Sequence, residues 1–141
     1  MTQQEKLVDI AKSLLGKPYK YGANSEEAPE VFDCSSFTQY IFKQIGIELP
    51  RSALLQAADP RGKEVEISNV KIGDLVFMRG IIGHYNDQLF HGRKFCIGHV
   101  AIYSGNNKIM HARSSVNSVV EQDIKEFTSI PNFNLEIMKR F

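Results

Sequence analysis

Two cysteines, Cys34 and Cys96, are too few to staple a small domain, so no disulfide framework is expected. Charge of one sign is also missing. The net charge is +1 and no basic run occurs, which argues against a nucleic-acid role and its usual basic stripe. Lys17 and Lys20, and Arg93 with Lys94, read as solvated loop charges. No apolar run approaches the ~20 residues of a membrane span. The N-terminus, MTQQEKLVDIAKSLLG, begins polar and acidic and lacks the basic region, apolar block and small-residue site of a secretory signal. A cytoplasmic location is therefore expected, unless a lysis or effector-secretion route carries the chain out. No repeat, low-complexity tract or linker interrupts the sequence. Its 141 residues suit a single domain, 1–141, with one core, and a monomer is expected.

What is present divides into two halves. Thr2 and Glu5 form a capping box for a first helix, with Leu7, Ile10, Ala11, Leu14 and Leu15 as its buried stripe. Gly16 and Pro18 end it. Tyr19 to Tyr21 is a short extended piece, and 22–33 is a loop without period. A second helix runs from Cys34 towards Gly46, and Ser52 caps a short third one with Leu54, Leu55 and Ala58 inward. The second half reads as strands: Val65 with Ile67, Leu75 to Met78, Cys96 to Ser104, Lys108 to Ser114, Val119-Val120, and Leu135 to Met138. A long loop, 79–95, lies among them. Helices followed by an antiparallel meander predict an α+β fold, with N-terminal helices packed on a central antiparallel sheet.

Asp33-Cys34-Ser35-Ser36 closes the first loop and opens the second helix, whose stripe is Phe37, Tyr40, Ile41 and Ile45. With Asp33 as N-cap, Cys34 lies in the first turn, where free amide groups and the helix dipole favour a thiolate. A cysteine so placed can have its pKa lowered to roughly 3.5–7.5. It can equally be a small buried hydrophobe, and position alone leaves both readings open.

A nucleophilic thiol needs a base. His84 and His91 fall in the long loop, where histidines are most often solvated. His99 and His111 fall on adjacent strands. If the turn between them is Gly105-Asn106-Asn107, Ser104 faces Lys108 and Ala101 faces His111. His111 then shares a face with His99 as its diagonal neighbour, roughly 7–8 Å away between backbones. A two-residue Asn106-Asn107 turn without a bulge puts them on opposite faces. In the first register His99 is the base for Cys34, and His111 accepts from its other ring nitrogen. Two unrelated histidines on a half-buried sheet remain the alternative.

Six blocks extend this pattern: Gly16-Lys17-Pro18-Tyr19-Lys20-Tyr21-Gly22, Phe32-Asp33-Cys34-Ser35-Ser36-Phe37, Leu49-Pro50-Arg51-Ser52, Gly73-Asp74-Leu75-Val76-Phe77, Gly98 to Gly105, and Lys108-Ile109-Met110-His111-Ala112. In this order the chain resembles the NlpC/P60 family of papain-like cysteine peptidases. The resemblance implies Cys34 as nucleophile, His99 as base, His111 as the third polar residue, and Tyr19 as a hydroxyl near the nucleophile that helps hold the oxyanion. It also implies that Asp33 and Ser52, with Ser35 and Arg51 beside them, meet the substrate. The implied substrate is a peptidoglycan-derived peptide cut at an amide of the D-glutamyl–diamino acid type, and no cofactor or metal is implied. Ala23 stands where the family usually has a second glycine, and the segments 22–33 and 79–97 are long, which makes them candidates for the cleft rim.

Three other readings compete. The same scaffold can transfer the acyl group to an amine or lipid, as an acyltransferase or a transglutaminase-like enzyme. His84, His91, Cys96 and His99 are a possible zinc set, although their spacing matches no compact finger. A non-catalytic peptide binder is the last. Cys96 is expected in the core, with a disulfide to Cys34 as the alternative.

Overall fold

The apolar runs of the second half pair into one sheet because each is too short and too buried to satisfy its backbone alone. The structure, a computed structural model, describes residues 1–141. Its strands are β1 (Lys63–Val65), β2 (Leu75–Met78), β3 (His84–Tyr85), β4 (Cys96–Ile97), β5 (His99–Gly105), β6 (Lys108–Arg113), β7 (Ser118–Asp123) and β8 (Leu135–Arg140). Six of them form an antiparallel sheet in the order β1-β8-β2-β5-β6-β7, and β3 with β4 make a separate two-stranded ribbon. The expected α+β arrangement is observed.

Four helices cover the sheet: α1 (Gln3–Ser13), α2 (Cys34–Lys43), α3 (Ala53–Ala58) and α4 (Ile124–Thr128). The two sheet faces follow from side-chain alternation. Phe77, Val100, Ile102, Met110 and Ala112 face the first three helices and join Leu7, Phe37, Ile41 and Phe42 in the larger core cluster. Val76, Met78, Ala101, Tyr103 and Ile109 face the other way, against Ile124 and Phe127 of α4. Phe37, Ile41 and Phe42 are completely buried, and burying each such side chain is worth about 1.5–3 kcal/mol. That burial fixes the pose of α2, and hence of Cys34 at its first position.

Several expectations need correction. Leu15 leaves the α1 stripe and is exposed; Val8 is buried instead. In α3 the buried residues are Ala53, Gln56 and Ala57. Leu55 faces solvent, and Leu54 and Ala58 are only partly buried. The helix is turned by the polar Gln56, which accepts from Thr38 Oγ1 at 2.7 Å and donates to Ser35 O at 3.0 Å and Pro50 O at 2.9 Å. Ile67 is not on a strand but starts a 3-10 turn, Ile67–Asn69. The expected strand from Cys96 to Ser104 is broken at Gly98, so β4 and β5 belong to different sheets. The long loop holds β3 and a 3-10 turn at Asp87–Phe90, and α4 was not expected at all.

The β5–β6 turn combines both possibilities weighed from sequence. Asn106 and Asn107 are both left-handed, with φ of 53° and 60°, as a two-residue type I′ turn demands. A bulge between Tyr103 and Gly105 supplies the odd residue, so Ile102 lies opposite Met110 and Tyr103 opposite Ile109. His99 and His111 thereby share the α4 face.

Candidate active site

Asp33 sets the start of α2. Its carboxylate accepts from Ser36 N at 2.8 Å, and its own N–H donates to Ser36 Oγ at 3.0 Å. Cys34 follows, partly buried. The expected lowering of its pKa is not found: burial and then the Asp33 carboxylate push it up to about 11. The backbone N–H groups of Val100 and Ser35, and Arg51, draw it back only in part. The main reason is that burial strips water from the thiolate; the Asp33 cap adds a negative charge at the same helix terminus, which opposes a second one beside it.

The histidines form a relay. His99 Nε2 lies 2.7 Å from His111 Nδ1, and His111 Nε2 lies 2.7 Å from Gln122 Oε1. Arg113 Nη1 also points at that oxygen, at 3.4 Å, which identifies it as the amide oxygen. An oxygen can only accept, so the network assigns the proton of His111 to Nε2. His111 Nδ1 must then accept from His99 Nε2–H, and Nδ1 of His99 is left as an unprotonated acceptor. No protein group bonds to that atom, yet Ser104 Oγ is the one buried side-chain nitrogen or oxygen without a partner. His99, although buried, lines a cavity, which leaves room for a partner there. Burial and then His111 hold His99 well below its ordinary 6.5, and burial lowers His111 to about 4. Phe127 of α4 packs on both rings, with centroids 5.4 and 4.5 Å away.

Two cavities flank this line. One of about 430 Å³ is lined by Cys34, Asp33, Ser35, Arg51, Ser52 and His84, among others. The other, of about 470 Å³, is lined by His99, Tyr19, Ile81, Arg113, Phe127 and Phe133, among others. A further hollow of about 390 Å³ between Ser25 and Leu49 contains neither cysteine nor histidine. The turn Arg79–His84 thus reaches both arms, with Ile81 in one and His84 in the other. It can do so because Gly98 lets it pass backbone to backbone: a side chain there collides with Arg79 O and Ile82 O. The tip of the 79–97 segment is pinned by Arg93, which holds Glu64 at 2.6 Å and stacks over Phe95.

The structure places Asp33, Cys34, Ser35, Arg51 and Ser52 around one cavity and Tyr19 and His99 around the other, with His111 buried behind His99. Tyr19 lies beside Cys34 and Asp33; burial and then those two groups raise its hydroxyl to about 12. The polar groups of the first arm are largely engaged with one another. Arg51 bonds Asp33 Oδ2 at 2.7 Å and Ser35 Oγ at 2.8 Å, and also Ala23 O. Ser52 Oγ caps α3 through Leu55 N at 3.2 Å. No three of His84, His91, Cys96 and His99 converge as a metal site. Cys96 is a buried free thiol, as expected of a core residue. Gln122, Arg113 and Phe127 were missed from sequence. Only Gln122 had a usable signal: it lies diagonal to His111 once Val120 is placed opposite His111.

The sequence profile of the NlpC/P60 family matches residues 16–134. A probable endopeptidase of Corynebacterium glutamicum is 33% identical over 119 residues, covering 84% of this chain and 47% of that protein. An Escherichia coli protein named murein DD-endopeptidase MepS/murein LD-carboxypeptidase is 34% identical over 119 residues, covering 83% of this chain and 53% of the other. The chain therefore spans about half the length of these relatives. Among solved structures, the NlpC/p60 domain of the peptidoglycan hydrolase SagA superposes with a TM-score of 0.72 at 25% identity, covering 99% of this chain and 100% of that one. No helix is long and apolar enough to cross a membrane.

Proposed function

The chain belongs to the NlpC/P60 family, and on that premise we propose that it is a cysteine endopeptidase acting on peptidoglycan stem peptides through a Cys34 acyl-enzyme. The observation that carries this reading is the relay from Gln122 through His111 to His99, which leaves His99 Nδ1 free to accept a proton. With the thiol raised and the imidazole lowered, the resting pair is neutral at pH 7. Sγ loses its proton to Nδ1 as it attacks the substrate carbonyl. The backbone N–H of Cys34, at the start of α2, and the Tyr19 hydroxyl stabilise the oxyanion. His99, now protonated, delivers the proton to the leaving nitrogen, and water activated by the same ring releases the acid. His111 orients the base. Asp33, Ser35, Arg51 and Ser52 line the arm that receives the acyl side.

A bond between a D-glutamyl residue and a diamino acid is the proposed target. A D,D bond is the second reading, favoured by the name of the Escherichia coli relative. Incubation with defined stem peptides of both kinds, with products weighed by mass spectrometry and an added amine present, separates these readings. Free acid from the D-glutamyl peptide is expected. Cleavage confined to the D,D bond refutes the proposed target, and transfer product in excess of acid refutes the hydrolase.

A further inference from the structure

Arg51, Arg61, Arg93 and Arg140 each close an ion pair with a carboxylate. Arg79 and Arg113 close none, and of these two only Arg113 lies in the wall of the cavity that holds His99. It stands on the last position of β6, and its guanidinium rests over the Phe127 ring, 5.2 Å from the centroid. Its one side-chain hydrogen bond is the long contact with Gln122. The cavity around it offers Ser114, Ser115 and Asn132 as polar neighbours and no acidic residue. Guanidinium groups are matched to planar carboxylates, and aromatic backing holds the fork in place.

The chemistry tells the two arms apart. The nucleophile bonds the acyl carbon, and the base hands its proton to the leaving nitrogen. Cys34 lines one arm and His99 the other. The His99 arm is therefore where the residue that supplies the leaving amine sits. The Cys34 arm carries an internally neutralised Asp33–Arg51 pair, whereas the His99 arm carries a cation with no counter-charge.

Resting on the peptidase reading, we propose that Arg113 is a specificity-determining residue that selects substrates whose leaving-side residue carries a free carboxylate. The carboxylate takes the unpaired guanidinium edge, with the aliphatic part of the residue against Phe127 and Phe133. The same residue amidated, or lacking the second acid group, leaves Arg113 without its partner and binds less well.

Two synthetic peptides, alike except for a carboxylate or carboxamide on the leaving-side residue, test this. Their affinities are measured by calorimetry on Cys34→Ala, and their turnover on the wild type. The carboxylate peptide is expected to bind about tenfold more tightly, the scale of one charge-assisted contact at a partly exposed site. Arg113→Gln, in the Cys34→Ala background, is expected to bring the ratio close to one, and Arg113→Lys to restore part of it. Equal affinities for the two peptides, or a preference that survives Arg113→Gln, overturn the proposal. Selective binding without turnover upholds it while refuting the peptidase reading. Turnover with equal affinities does the reverse.

Discussion

Gln122→Leu is the change that probes the relay most sharply. His111 is completely buried, and its Nε2–H has only Gln122 Oε1 to bond, at 2.7 Å. Leucine leaves that N–H buried without a partner, at a cost of about 1–3 kcal/mol. The ring can escape by moving the proton to Nδ1. That nitrogen, however, lies 2.7 Å from His99 Nε2, so His99 must shift its own proton to Nδ1. Escape therefore blocks the atom that accepts from Cys34. At about 1.4 kcal/mol per factor of ten, the competent tautomer falls to between roughly a fifth and about one part in 140. The expected result is kcat/KM lower by about 5- to 140-fold, carried by kcat with KM little changed. Gln122→Glu keeps the acceptor and adds charge. It is expected to retain most activity while moving the acid limb of the pH–rate profile upwards. Steady-state kinetics from pH 5 to 9 read both. A leucine variant within about twofold of wild type at every pH refutes the tautomer assignment.

Other outcomes follow from the same structure. His111 is held at about 4, so below pH 6.5 the unfolded chain takes up a proton that the folded one refuses. Stability is expected to fall between pH 6.5 and about 4 by roughly 3 kcal/mol through His111 alone, with His99, also held low by burial, adding to the loss in the same direction, read as urea midpoints; a flat profile contradicts it. Asp74 is completely buried and held by Arg140 at 2.8 Å through both oxygens and by Lys71 N at 2.8 Å. Asp74→Ala is expected to destabilise by about 3–5 kcal/mol in chemical denaturation, and a loss below 1 kcal/mol counts against the pair. Gly98→Ala forces the Arg79–His84 turn off β5. It is expected to raise KM more than it lowers thermal stability, and an unchanged KM argues that the turn does not touch substrate.

What was legible in the sequence was whatever local chemistry dictates. Thr2 with Glu5, Asp33 and Ser52 all cap the helices they were expected to cap. The histidine register also followed, once a bulge was allowed for. Features set by tertiary context were not legible. Gln56 turns α3 because Ser35 and Thr38 of α2 and Pro50 just before the helix surround it. α4 is five residues long and is held by Ile124 and Phe127 against the sheet more than by any periodic stripe. The ribbon of β3 and β4 has two residues per strand, below what alternation can show. The Cys34 pKa was not legible because burial, a tertiary property, raises it most, and the Asp33 that marks the helix start adds a charge that opposes the thiolate.

The most direct measurement is a rapid-quench experiment with a cleavable stem peptide, followed by intact mass and peptide mapping. The expected result is a transient thioester adduct on Cys34, absent from Cys34→Ala, which also releases no product. His99→Ala is expected to be almost as inactive, and His111→Ala to retain more. Equal product release by wild type and Cys34→Ala, with no adduct at Cys34, contradicts the thiol mechanism outright.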